Sequence, residues 1–549
     1  MRTNSLIVGI LAAACGSTGG SADRPEAAGA PSSAAGRPPP TDPSRGGGGG
    51  AGAGAAGGRA VGAPEWRACS LIDGEADGLA ECADLDVPRR WDAAGGGRLS
   101  VRGKRWLRGG QLQLWLLPGG PGLASTVVEP PVAVGLAPHF PNADFYMLDA
   151  RGTGFSARLA CPLQELATSP GGSEITAGEV GSCSSALGAE LEDPSVFGFT
   201  QSAHDLAAYL RAARSADQRV VLWARSAGTL LAQRALLLYP DLVDGVVLEA
   251  FVGPDFSLKR QDAAADRRLR EVLLACERDP ACAQRFPQAT ETAGTLWRRL
   301  AEGHCPAVQT QVEVLQSTLF RMLAEYPFQA AIPAYLWHLD RCTPSGISIV
   351  GSMSRRVGGS TRSGTGYSQV AFQLISASEL WNDAEFPSED DYIAHVEELE
   401  TTSLLGSGAG GSALAAKLRA WPRYIDPSDD ELPHAEVPML ITHGALDPLS
   451  PREAILPALD TYAGPYQWSV GFESATHNLL GATPMADGGD CMLSLATQFV
   501  GGLGATLERC DAEVLPINFV GDDFGPALFG TPTYWNLGGI TPTSREKAE

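Results

Sequence analysis

The sequence predicts an α/β fold: a mostly parallel central sheet flanked by helices, with a large, mainly helical cap inserted into it. Three observations carry this. The apolar run V-V-L-W from Val220 breaks into A-R-S-A-G, and a helix-like T-L-L-A-Q-R-A-L-L-L-Y-P follows at once. Two further buried-strand candidates follow, V-D-G-V-V-L-E-A-F-V from Val243 and V-P-M-L-I-T-H-G from Val437. The stretch between them is far longer than a strand-to-helix connection needs, and it holds helical runs such as R-R-L-R-E-V-L-L-A-C and T-L-W-R-R-L-A-E.

Five segments follow from this reading. Residues 1-14 carry one arginine and then L-I-V-G-I-L-A-A-A, too short and too weakly flanked to span a bilayer. The pattern is that of a bacterial lipoprotein signal, with cleavage before Cys15 and lipidation of that residue; an ordinary secretory signal is the alternative. Residues 15-63 are mostly Gly, Ala, Pro and Ser, unable to bury enough apolar surface to fold, and read as a flexible tether. Residues 64-255 and 433-515 form the catalytic domain. Residues 256-432 form the cap, with a Gly/Ser-rich loop at Gly358 to Gly366, and 516-549 form an aromatic-rich tail of unassigned role.

Within the catalytic domain, L-Q-L-W-L-L from Leu112 is a strand candidate ending in P-G-G-P-G, Pro118 to Gly122. A glycine-rich loop there can turn backbone N–H groups toward a developing oxyanion, and losing one such donor costs about 2.7–4 kcal/mol. Pro121 has no N–H, so Gly120 is the expected donor, paired with the amide of Ala227. The strand, sharp turn and helix around Ser226 form a nucleophile elbow, with Ala224 where glycine is usual. An α/β-hydrolase orders its triad Ser, then acid, then His. Asp447 lies just past the strand from Val437, and His477 is the only histidine after it, beyond a strand expected from Tyr466 to Phe472. Ser226 would attack, His477 would take and return the proton, and Asp447 would fix the imidazole tautomer and steady its positive charge.

The set P-G-G-P-G, D-A-R-G-T-G-F-S from Asp149, A-R-S-A-G, G-A-L-D-P-L-S-P and T-H-N resembles the proline iminopeptidase and tripeptidyl aminopeptidase family of α/β-hydrolases, from about Trp115 to Cys510. Pro118, Ala224 and Asn478 depart from that family's pattern. The resemblance implies an aminopeptidase acting on short peptides through an acyl-enzyme; the N-terminal pattern and the cysteines make it an exported one, and neither a cofactor nor a metal is expected. Asp149 and Arg151 are expected to support neighbouring loops by a bidentate ion pair or backbone hydrogen bonds. An aminopeptidase needs a carboxylate for the substrate's ammonium. Glu249, at a strand's C-terminal end, and Glu379, in a cap segment similar to one in related peptidases, are the candidates; Ala377 stands where that segment has a cysteine. Trp381 and Phe386 are candidates for lining an apolar pocket. The rival readings are a carboxylesterase or lipase, an envelope endopeptidase, and an inactive surface binding protein.

Eleven cysteines leave ten once Cys15 is set aside. Proximity pairs them as Cys69 with Cys82, Cys161 with Cys183, Cys276 with Cys282, Cys305 with Cys342 and Cys491 with Cys510, as expected in an oxidising compartment. A net charge of −22 argues against nucleic acid as a partner. Contact with a membrane is expected only through a lipid on Cys15, in a cell-envelope or else secreted or periplasmic setting. Oligomeric state is open.

Overall fold

Nine strands form one sheet: β1 (Arg67–Cys69), β2 (Ala80–Pro88), β3 (Arg98–Trp106), β4 (Leu112–Leu117), β5 (Ala143–Leu148), β6 (Arg219–Arg225), β7 (Gly245–Glu249), β8 (Met439–Gly444) and β9 (Gln467–Phe472). Their order is β1-β2-β3-β5-β4-β6-β7-β8-β9. The first three strands, through β3 on β5, pair antiparallel, and every pair from β5 onward is parallel. The computed structural model describes residues 61–535 apart from 94–95, 359–363, 382–385, 407–409, 427, 429–430, 434–435 and 527–530. The expected signal, Cys15, nearly all of the tether, part of the Gly358 to Gly366 loop and the end of the tail lie outside the described residues.

Central strands β4, β5, β7 and β8 are buried along their whole length, because helices cover both sheet faces. Alternation then sorts the side chains. Leu114, Leu116, Trp223, Val247 and Leu440 face the helices Pro130–Leu136 and Cys491–Gly501. Trp115, Leu222, Ala224, Leu248 and Ile441 face Phe199–Ala213, Gly228–Leu238 and Arg452–Leu459. Parallel strands aligned this way bring their C-terminal ends, and the loops that follow, to one edge.

Between β7 and β8 every regular element among the described residues is helical. This cap is assembled from more chain than its own segment. One apolar cluster joins helices Gln261–Arg278, Ala289–Ala301, Val312–Ala324 and Ile332–Arg341 to Phe519, Tyr534 and Trp535 of the tail. A second joins Leu159, Ile175, Val180 and Phe197, all upstream of the elbow, to Val370, Leu374, Trp381, Tyr392 and Trp421. Five disulfides close local loops, Cys69–Cys82, Cys161–Cys183, Cys276–Cys282, Cys305–Cys342 and Cys491–Cys510, with Cα separations of 5.2–5.8 Å. So many disulfides point to an exported chain. Among the described residues no helix is long and apolar enough to cross a membrane.

Candidate active site

Ser226 directly follows β6 at a φ of +53°, a left-handed conformation that costs a non-glycine residue about 1–3 kcal/mol. The neighbours hold it there. Ser226 N donates to Glu249 O at 2.9 Å, and Ser226 O accepts from Thr229 N and Thr229 Oγ1 at 2.8 and 2.6 Å. Thr229 Oγ1 in turn accepts from Val252 N at 3.0 Å. The turn works only with two glycines. A Cβ on Gly228 would sit 2.5 Å from Pro118 O, and one on Gly119 would sit 2.7 Å from Ser226 Cβ. Ala224 needs no such room, because it lies within the sheet between Leu117 and Leu248.

Gly119 is therefore the loop residue in contact with the serine. Gly120, singled out above, follows it at a φ of +118° and precedes a cis peptide to Pro121. Ala227 is buried at the start of helix Gly228–Leu238. The far end of the loop is stitched to the cap: Ser368 N donates to Gly122 O at 2.9 Å and Ala124 N to Gly366 O at 3.0 Å.

Asp447 and His477 are brought together. His477 Nδ1 lies 2.8 Å from Asp447 Oδ2, and Asp447 is fully buried. Ser450 Oγ donates to the same oxygen at 2.6 Å, while Oδ1 accepts from Leu449 N and Ser450 N at 2.7 and 3.0 Å. Burial works against the charged carboxylate, but the His477 ring and the Ser450 donors outweigh it and hold the carboxyl below its usual range. Among the described residues no hydrogen bond joins Ser226 Oγ to His477. In an unliganded site such a contact commonly tightens only when substrate binds.

The two glutamates expected to meet the substrate have other partners. Glu249 is 2% exposed. Its Oε1 accepts from Leu479 N and Leu480 N at 3.1 and 2.9 Å, and its Oε2 accepts from Trp223 Nε1 at 2.9 Å. With its oxygens turned into the protein, Glu249 is not placed to meet an ammonium. Glu379 accepts from Phe199 N at 3.1 Å and from the Tyr424 hydroxyl. It thereby caps helix Phe199–Ala213, whose own cap position is Gly198 and has no side chain to offer. Glu379 remains partly exposed, at a recess shared with Phe199, Leu230, Arg234 and Phe256. Trp381 is a core residue of the cap, edge-on to Tyr392 at 5.0 Å, so it lines no pocket; Phe386 packs on the same tyrosine at 5.7 Å.

Asp149 and Arg151 do not pair with each other. Asp149 accepts from Thr126 N, Thr126 Oγ1 and Phe155 N at 2.8–2.9 Å, and burial pushes its carboxyl up to about 6 despite these donors. Arg151 grips Asp205 through two parallel hydrogen bonds of 2.6 and 2.7 Å and also donates to Arg89 O and Val196 O. Asp205, Gly119 and Ser450 escaped the sequence reading. So did Glu129, a buried carboxylate paired with Arg225; burial raises its pKa, the arginine opposes the rise, and its Oε2 has no hydrogen-bond partner among the described residues.

A family model described as the alpha/beta hydrolase fold matches residues 114–285. Together with the sheet order, the elbow and the acid after β8, that decides the architecture. This is the α/β-hydrolase fold. Its solved neighbours include a proline iminopeptidase from Mycobacterium smegmatis, at 15% identity over 77% of this chain and 98% of that one, TM-score 0.33. A serine hydrolase from Cycloclasticus zankles matches at 12% identity over 77% and 98%, TM-score 0.32. A thermostable carboxyl esterase from Bacillus coagulans matches at 11% over 77% and 99%, TM-score 0.31. Such values carry neither substrate nor mechanism to this α/β-hydrolase chain. No curated protein matches it in sequence.

Proposed function

We propose that this chain is an exported serine hydrolase that forms an acyl-enzyme on Ser226 and cleaves short peptides from a free N-terminus. The observation that carries the reading is the His477–Asp447 pair, with its carboxylate saturated by donors, on the same sheet edge as a serine held at positive φ against Gly119.

In this reading Ser226 Oγ attacks the substrate carbonyl carbon as its proton passes to His477 Nε2. The carbonyl oxygen takes up negative charge beside the amides of Gly120 and Ala227. Collapse of the tetrahedral species returns the proton from His477 to the departing amine and leaves an ester on Ser226. Water then repeats the sequence: its proton goes to His477, its oxygen to the acyl carbon, and Ser226 regains its hydrogen. Asp447 stays ionised and supports the imidazolium. These steps call for no metal or cofactor.

The peptide substrate rests on the resemblance of the motif set to proline iminopeptidases and tripeptidyl aminopeptidases. Of the two glutamates, Glu379 is the one that borders a recess, shared with Phe199, Leu230 and Phe256. A carboxylesterase is the competing reading, since the same groups serve an ester. Five disulfides, together with the apolar N-terminal stretch before Cys15, support export and a lipid anchor.

The test uses prolyl and tripeptidyl anilides with free or acetylated N-termini, alongside a short-chain nitrophenyl ester, with Ser226→Ala as control. Turnover of the free-amine anilides that disappears on acetylation and in the control supports the aminopeptidase. Ester cleavage alone sinks the peptidase claim, and activity that survives Ser226→Ala sinks the serine mechanism.

A further inference from the structure

We propose that Glu249 is a positioning residue that sets the distance between the nucleophile and the base. The proposal rests on the assignment of Ser226 and His477 to those roles. Glu249 is the last residue of β7, and it reaches both segments at once. Its backbone oxygen accepts from Ser226 N at 2.9 Å, within the strained turn itself. Its side-chain Oε1 accepts from the amides of Leu479 and Leu480, two and three residues beyond His477. One residue thus bolts the elbow to the loop that carries the base. With no direct hydrogen bond between Ser226 Oγ and His477 among the described residues, their relative placement depends on what each segment is fixed to.

The side chain has little freedom to drift. Trp223 Nε1 donates to Oε2 at 2.9 Å, and Trp223 sits two residues before Arg225, whose position in β6 is paired with Glu249. Leu479 and Leu480 are themselves buried in the apolar cluster that contains Trp223. A carboxylate is the group that fits, because it accepts on both oxygens. Glutamine in the same place would turn an NH2 either toward Trp223 Nε1 or toward the two amides, donor facing donor. Aspartate would keep the backbone bond to Ser226 but fall a methylene short of the loop.

The experiment compares Glu249→Gln and Glu249→Asp with the wild type on the nitrophenyl ester and on free and acetylated anilides. A fluorophosphonate probe reports Ser226 labelling, and thermal melts report folding. Expected is a fall in kcat between about tenfold and about 10²-fold, the scale of a small misplacement of reacting groups, with KM little changed. The factor should be the same on every substrate the wild type turns over, and labelling should slow with it. Folded variants with wild-type kcat and labelling overturn the proposal. A loss confined to free-amine substrates, with KM rising, also overturns it and returns Glu249 to amine recognition. If both variants fail to fold, Trp223→Phe decides, since it frees Oε2 while keeping the carboxylate: reduced kcat at constant KM is expected, and unchanged kcat overturns the idea. Hydrolysis that persists in Ser226→Ala would show a failure of the underlying assignment, whatever Glu249 does.

Discussion

The sheet edge and the cap are held together by different forces. At the edge, three buried carboxylates fix the loops, and each takes two backbone amides: Asp149 from Thr126 and Phe155, Glu249 from Leu479 and Leu480, Asp447 from Leu449 and Ser450. The cap is held by two apolar clusters drawn from stretches of chain far apart in sequence. Hydrogen bonds to charged groups are directional and fix atoms, whereas apolar burial fixes area and tolerates sliding. The difference teaches a division of labour: directional bonds place atoms at the edge, and apolar packing assembles the cap. The two meet through apolar contact, with Leu446 beside the acid lying in a cap cluster, and through hydrogen bonds. Gly122 and Ala124 are tied to Ser368 and Gly366, and the Thr476 hydroxyl, next to the base, donates to Leu323 O of the cap.

The largest test of this division is at the edge. Ser226→Ala and His477→Ala should each lower kcat on the nitrophenyl ester by at least about 10⁴-fold, and Asp447→Asn by about 10⁴-fold, with melting temperatures near wild type. The counterpart in the cap is Trp535→Ala. Trp535 is 1% exposed, donates to Phe519 O at 2.8 Å and packs on Trp337, so its loss should cost about 3–5 kcal/mol of stability in denaturant titrations. Fluorophosphonate labelling of Ser226 in that variant should keep its wild-type rate; a parallel fall would break the comparison.

A third prediction uses pH. The folded chain holds the Asp149 proton up to about 6, while the unfolded chain releases it near ~3.9. Between those values the folded state binds more protons, so stability should decline as pH rises from about 4 to about 6 by up to about 3 kcal/mol, then level off. In Asp149→Asn that component of the slope should vanish in urea titrations across the window. The smallest effect expected is Ser450→Ala. Its hydroxyl shares Asp447 Oδ2 with the imidazole, and one hydrogen bond of about 1 kcal/mol corresponds to a several-fold loss in kcat. Ser450→Thr should recover most of it; full activity in Ser450→Ala would show that the backbone amides alone hold the acid.

Sequence legibility follows the same division. The strand, turn and helix around Ser226 could be read because a short apolar run, small residues and a serine are all local signals. Chain order picked out Asp447 and His477, and neighbouring cysteines pair as proximity suggests. What could not be read was direction. Glu249 was recognised at the edge, but its side chain points with Val247 and Trp223 toward the loop after the base, a parity that only the paired sheet makes visible. Ser450 looks like any serine in a proline-rich turn. Nothing marks Phe519 and Trp535 as partners of helices some two hundred residues upstream, because apolar side chains do not name the surface they cover. The antiparallel strands β1 to β3 were missed for a similar reason: their exposed, charged positions dilute the apolar pattern.

Those three carboxylates also bear on how freely the chain can diverge. Four of the six amides they grip belong to residues whose side chains take no part in that grip; at Thr126 and Ser450 the hydroxyl adds to it. Homologues could therefore exchange Phe155, Leu449, Leu479 or Leu480 for other residues and leave the carboxylate bonds in place. Proline is the exception, since it alone lacks the N–H. An alignment built around these loops should show wide drift in residue type with proline excluded at those positions, and unvarying acids opposite them.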